Sequence, residues 1–476
     1  MSASILQADK FKPMKRLNIL FGTALLILAG GGLEAQKQTA PPGGTPKDFS
    51  LPEKKVSKLP NGFGSALVQY GNIPKVTINL IIKTGNVHEA ANEVWLADLT
   101  GELMKEGTTT MDFKTISKKV AGMGGEVNVS VGADQFTISG SVLSEFAPGL
   151  IKIMGDMVMN PAFPASELER LKNDLKRQLA VQKTQPQAQA QEKFFQIIYK
   201  DHAYGRYFPT DEMLGSYTVD KVKDFYNKNF GAKRSVIYVA GKFDESLAAK
   251  AIEESFSTWK AGPDISYPAA SQVRTNEIAT IDRKNAPQTT ILLGLPTITP
   301  THADYVPLQI TNSLLGGSFG SRITTNLRED KGYTYSPYST IQNRNGVSVW
   351  YEQADVTSEH TGESLQEIAK EIKRLQNEPP SKEELTGIQR YQAGIFVLQN
   401  STPSGIIGQL NFIDQYGLDE SYLTNRVKNI YAVTAEKVSQ MTRDHFKYED
   451  MTLVMVGDKK LLEKQKHLYE KAKKIK

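Results

Sequence analysis

The chain has 476 residues, no cysteine, 39% apolar and 23% charged side chains, and a formal net charge of +5. Such a length holds about two to four domains, each with its own core, and the apolar fraction is that of a chain that folds throughout. The missing cysteines exclude a disulfide-stapled fold and a lipidated-cysteine anchor, and nothing in the charge pattern points to nucleic acid.

Lys10, Lys12, Lys15 and Arg16 precede an apolar run over 17–30, and Ala35 offers a small residue for cleavage. This is the pattern of a signal peptide over 1–35, and it predicts a periplasmic protein whose mature chain begins near Gln36. The run is short and glycine-rich at its end, so no stable membrane span is expected after its removal. Leu33 and Glu34 make the cleavage site imperfect and leave an uncleaved anchor as the alternative. Cleavage removes four basic and two acidic side chains, which takes the charge from +5 to +3.

Beyond residue 50 the chain reads twice in the same order. A β-rich segment at 76–83 is followed by a helix-compatible stretch at 93–105 and paired strands at 126–131 and 135–142. A long amphipathic helix then starts near Ser144, a second near Ser166 after an Asn-x-Pro-type break, and a strand at 235–240 closes the half. The segment 261–270, with Gly262, Pro263 and Pro268, is the best linker. The order then returns as 289–295, 305–315, helices from near Glu359 and Ser381, and a strand at 451–456. Thr218 falls on Thr434 and Gly241 on Gly457 at an offset of 216, and Asn160 falls on Asn377 at 217. A nearly constant offset of this size marks a duplicated domain rather than a solenoid. Two tandem homologous domains are therefore expected, 50–260 and 280–470, each α+β with an antiparallel sheet covered by long helices. The lysine-rich end at 459–476 reads as a solvated helix.

The strongest local signature is LLGGSFGSRITTNLREDKGYTYS at 314–336. It resembles the second-domain motif of the insulinase and mitochondrial processing peptidase family, and DHAYGRYFPTDEML at 201–214 resembles a first-domain stretch of the same family. The resemblance implies tandem α+β halves and an inverted zincin site. In active members, H-x-x-E-H on a first-domain helix holds zinc through two histidines four residues apart, its glutamate activates the bound water, and a later helix adds a glutamate. The matching stretch here is ADLTGELMKEGT at 97–108, with Asp98 and Glu102 at the histidine positions and Gly101 at the glutamate position. The later glutamate aligns with Arg177 or Gln178. A glycine accepts no proton, so the family's hydrolysis has no base in this chain. The six histidines are isolated in sequence. Asp98, Glu102 and Glu106 share one helical face, which reads either as a solvated acidic stripe or as carboxylate ligands for a metal other than zinc.

The resemblance also implies what is retained. The second-domain motif supplies an arginine and a tyrosine seven residues apart that hold the substrate, and those positions are Arg328 and Tyr335. Gly332 between them is expected to end the helix carrying Arg328 and let Tyr335 begin the next strand, so that both face one cavity. In the family's two-chain members one chain bears zinc and the other, without it, supplies these two residues around an extended peptide. The sequence is accordingly read as such a second chain, with no catalytic residue or metal of its own and with zinc in its partner. Gly125 to Val131 resembles the strand whose edge pairs with substrate. The alternatives are a structural or peptide-binding scaffold of the same fold, in which Arg328 pairs with Glu329 or Asp330 and Tyr335 packs, and a hydrolase with another site, for which no nucleophile and adjacent base are found.

Overall fold

The computed structural model describes residues 49–475. The expected signal peptide at 1–35 and its cleavage point lie outside the described residues. Eleven strands form two sheets among those described. The first contains β1 (Lys54–Lys58), β2 (Gly64–Gln69), β3 (Lys75–Ile82), β4 (Glu126–Val131), β5 (Phe136–Leu143) and β6 (Ser235–Gly241), in the order β1-β2-β6-β3-β5-β4. The second contains β7 (Ile278–Asp282), β8 (Gln288–Thr297), β9 (Tyr338–Arg344), β10 (Val347–Thr357) and β11 (Thr452–Gly457), in the order β7-β11-β8-β10-β9.

The second order repeats the first with β1 left off. Both sheets are antiparallel apart from one parallel pair each, β2 with β6 and β7 with β11. In each half the last strand returns from the helical layer and inserts between two earlier strands, so β6 and β11 are buried along nearly their whole length. This explains their unbroken apolar sequences, VIYVA and LVMV.

Alternation decides which side of each sheet is inner. Val76, Ile78, Leu80 and Ile82 of β3 enter the first core, whereas Ile81 points to the opposite face and joins another cluster. Helices α1 (Leu96–Lys105), α2 (Ala147–Met159) and α3 (Ala165–Thr184) cover the inner face. Helices α5 (Tyr305–Leu315), α6 (Thr361–Asn377) and α7 (Lys382–Gln399) do the same for the second sheet. Ser381 caps α7 by accepting from Glu384 N at 3.1 Å. Ser166, expected to start α3, lies inside that helix; Pro164 occupies the cap position and has no side-chain oxygen to offer.

The outer faces are covered reciprocally. Helix α4 (Pro186–Tyr199) of the first half lays Phe194, Phe195 and Ile198 against Leu292, Tyr351 and Val454 of the second sheet. Helix α8 (Pro403–Tyr416) of the second half lays Ile406, Ile407 and Leu410 against Ala66, Val68 and Tyr238 of the first. Pro186 and Pro403, like Tyr199 and Tyr416, are separated by the same 217 residues. Each half thus needs the other to keep one sheet face out of water. No helix among the described residues is long and apolar enough to cross a membrane.

Candidate functional site

Helix α1 carries the positions of the missing zinc motif. Its N-cap, Trp95, is left-handed with φ +67 and has no capping side chain. Glu89 does that work from a distance: its carboxylate accepts from Ala97 N at 2.8 Å and Trp95 N at 3.1 Å. The Asn86 amide bridges Glu89 Oε1 at 3.1 Å and Asp98 Oδ2 at 2.6 Å. Burial pushes both carboxyls above their usual range, and in Glu89 the nearby Asp98 charge adds to it. Asp98 is therefore tied into an amide bridge beneath the helix start.

The remaining positions diverge from it. Glu102 pairs with Lys105 at 2.8 Å, Glu106 pairs with Arg170, and Arg177 pairs with Asp174. A Cβ at Gly101 would stand 2.6 Å from Val131 Cγ2 and 3.5 Å from Phe136 Cε1, so β4 and β5 fill the space a catalytic glutamate needs. Gln178 lines a cavity of about 310 Å³ with Asp98, Glu89, Tyr207 and Arg344. This donor set does not fit zinc, because it contains no imidazole and its carboxylates point apart. Among the described residues no group of three or more histidine, aspartate or glutamate side chains is arranged to hold a metal ion.

Arg328 sits on the π-helical turn Thr325–Asp330. Gly332, at φ +66, reverses the chain, and Tyr333 N closes the turn on Leu327 O at 2.9 Å. Tyr335 does not begin the next strand, since β9 starts three residues later, but it returns beside Arg328. The guanidinium carbon lies 4.9 Å from the Tyr335 ring centroid and 4.4 Å from that of Phe319. Glu329 holds only Nε, at 3.2 Å. The two Nη groups and the Tyr335 hydroxyl make no hydrogen bond among the described residues. Phe319 and Tyr335 are 71% and 78% exposed. Arg328 and Tyr335 are thus brought together, but neither lines the cavity beside Asp98, where the second half contributes Arg344 instead.

Sequence reasoning missed Phe319, Glu89 and Arg344. Phe319 stood inside the glycine-rich motif, and a lone aromatic between Gly317 and Gly320 was the available signal. Glu89 is one acid among several before the helix, and only the turn between Asn86 and Trp95 folds it back onto the start of α1; Arg344 carries no local signal, because the cavity it lines belongs to the other half.

Family models match two adjoining stretches, Insulinase (Peptidase family M16) over residues 66–209 and Peptidase M16 inactive domain over 216–391. A Rickettsia felis chain described as an uncharacterized zinc protease is 27% identical over 305 residues, which cover 62% of this chain and 72% of that one. The Helicobacter pylori non-peptidase homolog YmxG is 21% identical over 398 residues, 82% of this chain and 90% of its own. The crystal structure of a peptidase M16 inactive domain from Pseudomonas fluorescens superposes with a TM-score of 0.78 at 23% identity, covering 85% of this chain and 98% of that one, a likeness of fold.

Proposed function

The chain belongs to the insulinase family, peptidase family M16, and lacks its H-x-x-E-H motif; from that premise we propose that it is an exported, non-catalytic subunit that completes the substrate cleft of a zinc-bearing partner. One observation carries this reading: the two residues that hold substrate in the family stand together with unused donors, Tyr335 exposed and Arg328 half-buried, away from the chain's own degenerate site. In the complex an extended peptide lies between the two chains. The Nη fork of Arg328 and the Tyr335 hydroxyl donate to a peptide carbonyl whose oxygen gains charge as the partner's zinc-bound water attacks it. Zinc and the base belong to the partner; this chain positions the peptide and stabilises charge. Export follows from the signal pattern and places the complex in the periplasm, so protein recovered there should begin near Gln36 on N-terminal sequencing.

The test is reconstitution with a family chain of similar size that has H-x-x-E-H, followed by steady-state kinetics. Either chain alone should be inactive and the pair active. A zinc-bearing chain that is fully active alone, and unchanged by addition of this one, would favour the scaffold reading.

A further inference from the structure

Strand β1 is the outermost strand of the first sheet and has no counterpart in the second. Lys54, Val56 and Lys58 lie directly across from Val68, Ala66 and Gly64, on the sheet face that α8 covers. The helical cover stops short of β1: Val56 is 63% exposed, and a groove of about 390 Å³ runs between β1 and α8 over Ala66, Val236 and Leu410. A second cavity, of about 590 Å³, shares Lys58, Gly62, Lys233 and Ile265 with it, so the groove continues past the turn between β1 and β2.

Five cations converge on this groove from three parts of the chain: Lys54 and Lys58 from β1, Lys83 after β3, and Lys233 and Arg234 before β6. The one carboxylate among the lining residues is Asp414, which is engaged by the Tyr238 hydroxyl. Lys54 pairs with Glu420, outside the groove, at 2.7 Å, and Lys233 pairs at 2.8 Å with Asp264, an acid that lines the second cavity. The other three make no ion pair among the described residues. Lys83 donates only to the Asp414 carbonyl, at 3.3 Å, and burial pulls its pKa below the usual lysine value. Arg234 is 4% exposed, bonds the Asp264 carbonyl and the Ser266 hydroxyl, and leaves a buried Nη1 without a partner.

Lysines on an edge strand ordinarily discourage strand pairing, and that accounts for Lys54, Lys55 and Lys58. It does not account for Lys83, Lys233 and Arg234, which lie off the edge strand. Lys83 and Arg234 are drawn from water with Asp414 and Asp264 near them but, among the described residues, no carboxylate within ion-pairing distance, which is unfavourable, and an arriving anion offsets that cost. We infer that this margin is a docking site for an acidic peptide segment of another protein, which adds to β1 as a seventh strand and presents on its groove face one apolar side chain over Val56, flanked at i−2 and i+2 by carboxylates beside Lys54 and Lys58. The chain's own residues 1–48 are a poor occupant, since they carry only Asp9, Glu34 and Asp48 as acids.

The probe is a fluorescein-labelled, amidated Glu-Thr-Glu-Thr-Val-Thr-Glu-Thr-Glu peptide, whose glutamates and central valine share one strand face, read by anisotropy with the full mature chain at low and high NaCl. Two competitors of equal charge separate strand pairing from simple attraction: the same peptide with proline in place of threonine, which cannot extend a sheet, and an oligothymidylate. The alternating peptide should bind best, with an affinity that falls as salt rises. Lys58→Glu, at an exposed position, should weaken it about tenfold by placing like charge in the groove, and Lys83→Gln should act in the same direction. Lys471→Glu with Lys474→Glu, on the exposed lysine-rich end, should change nothing. Thermal melts establish that each variant is folded. Equal binding of either competitor, indifference to Lys58→Glu, or no binding of the alternating peptide overturns the inference.

Discussion

The two halves carry the same architecture and have treated their functional positions in opposite ways. In the first, the position of the family's base is sealed: Gly101 lies against Val131, and Asp98 is bridged to Glu89 by Asn86. In the second, the loop at 316–336 stays open, and Arg328 stands between Phe319 and Tyr335 with its Nη groups unused. A cavity of about 310 Å³ persists beside Asp98 and Gln178, but at the base position itself Val131 and Phe136 stand where a longer side chain would go. The surfaces of the two corresponding helices part in the same manner. At an offset of 217, α3 carries Arg170, Asp174, Arg177 and Val181 where α7 carries Gly387, Tyr391, Gly394 and Leu398, so charge is replaced at the first three and only the last stays apolar in both.

The largest expected effect tests the open half. Arg328→Ala in the reconstituted complex should leave assembly intact and lower kcat/KM by about a hundredfold or more, the loss that follows removal of a preorganised donor to a developing oxyanion. A change confined to KM would assign the arginine to ground-state binding. Unaltered kinetics would remove Arg328 from the cleft.

The next effect sets the halves against each other through one substitution. Helical Gly→Ala is ordinarily stabilising by about 0.5–1 kcal/mol, and Gly387→Ala should behave so, because a Cβ there meets nothing within 4 Å. Gly101→Ala should instead destabilise, by about 1–3 kcal/mol, as Val131 and the strand that carries it are pushed off the helix. Urea titrations of both variants measure the difference, and equal signs would mean that the first half is not sealed.

Tyr335→Phe comes third. It keeps the ring beside Arg328 and deletes one hydroxyl, so kcat/KM should fall by about tenfold, in line with the loss of a neutral hydrogen bond. The smallest effect is a pH dependence at Asp98. Its folded pKa is raised by burial, so its contribution is fully present below the usual aspartate value of 3.8 and is lost as pH rises through the folded value. Asp98→Asn keeps an acceptor for Asn86 and removes the buried charge. Its Tm should exceed that of the parent at pH 7, with the gap closing below about pH 4; a gap independent of pH would mean that Asp98 does not ionise in the fold.

Element order, duplication and family membership were legible in the chain, because each is written in contiguous residues. The apolar period of 305–315 matches α5, alternation in β3 matches its two buried faces, and the motif at 314–336 placed Arg328 and Tyr335 together. The absence of an imidazole or a base at Asp98, Gly101 and Glu102 was likewise a matter of residue identity.

Tertiary structure alone decided the rest. Nothing local in ADLTGELMKEGT says that Val131 and Phe136 crowd Gly101, or that Asp98 is bridged while Glu102 turns to Lys105. The reciprocal cover by α4 and α8 was also hidden, since an amphipathic helix declares that it buries one face and not against which sheet. The same holds for the cations beneath β1. Lys83 and Arg234 are 151 residues apart in sequence and share a groove only because β3 and β6 are neighbours in the sheet. Composition and periodicity report what each segment must bury or expose, whereas which charges end up facing one another depends on the order in which the strands are laid side by side.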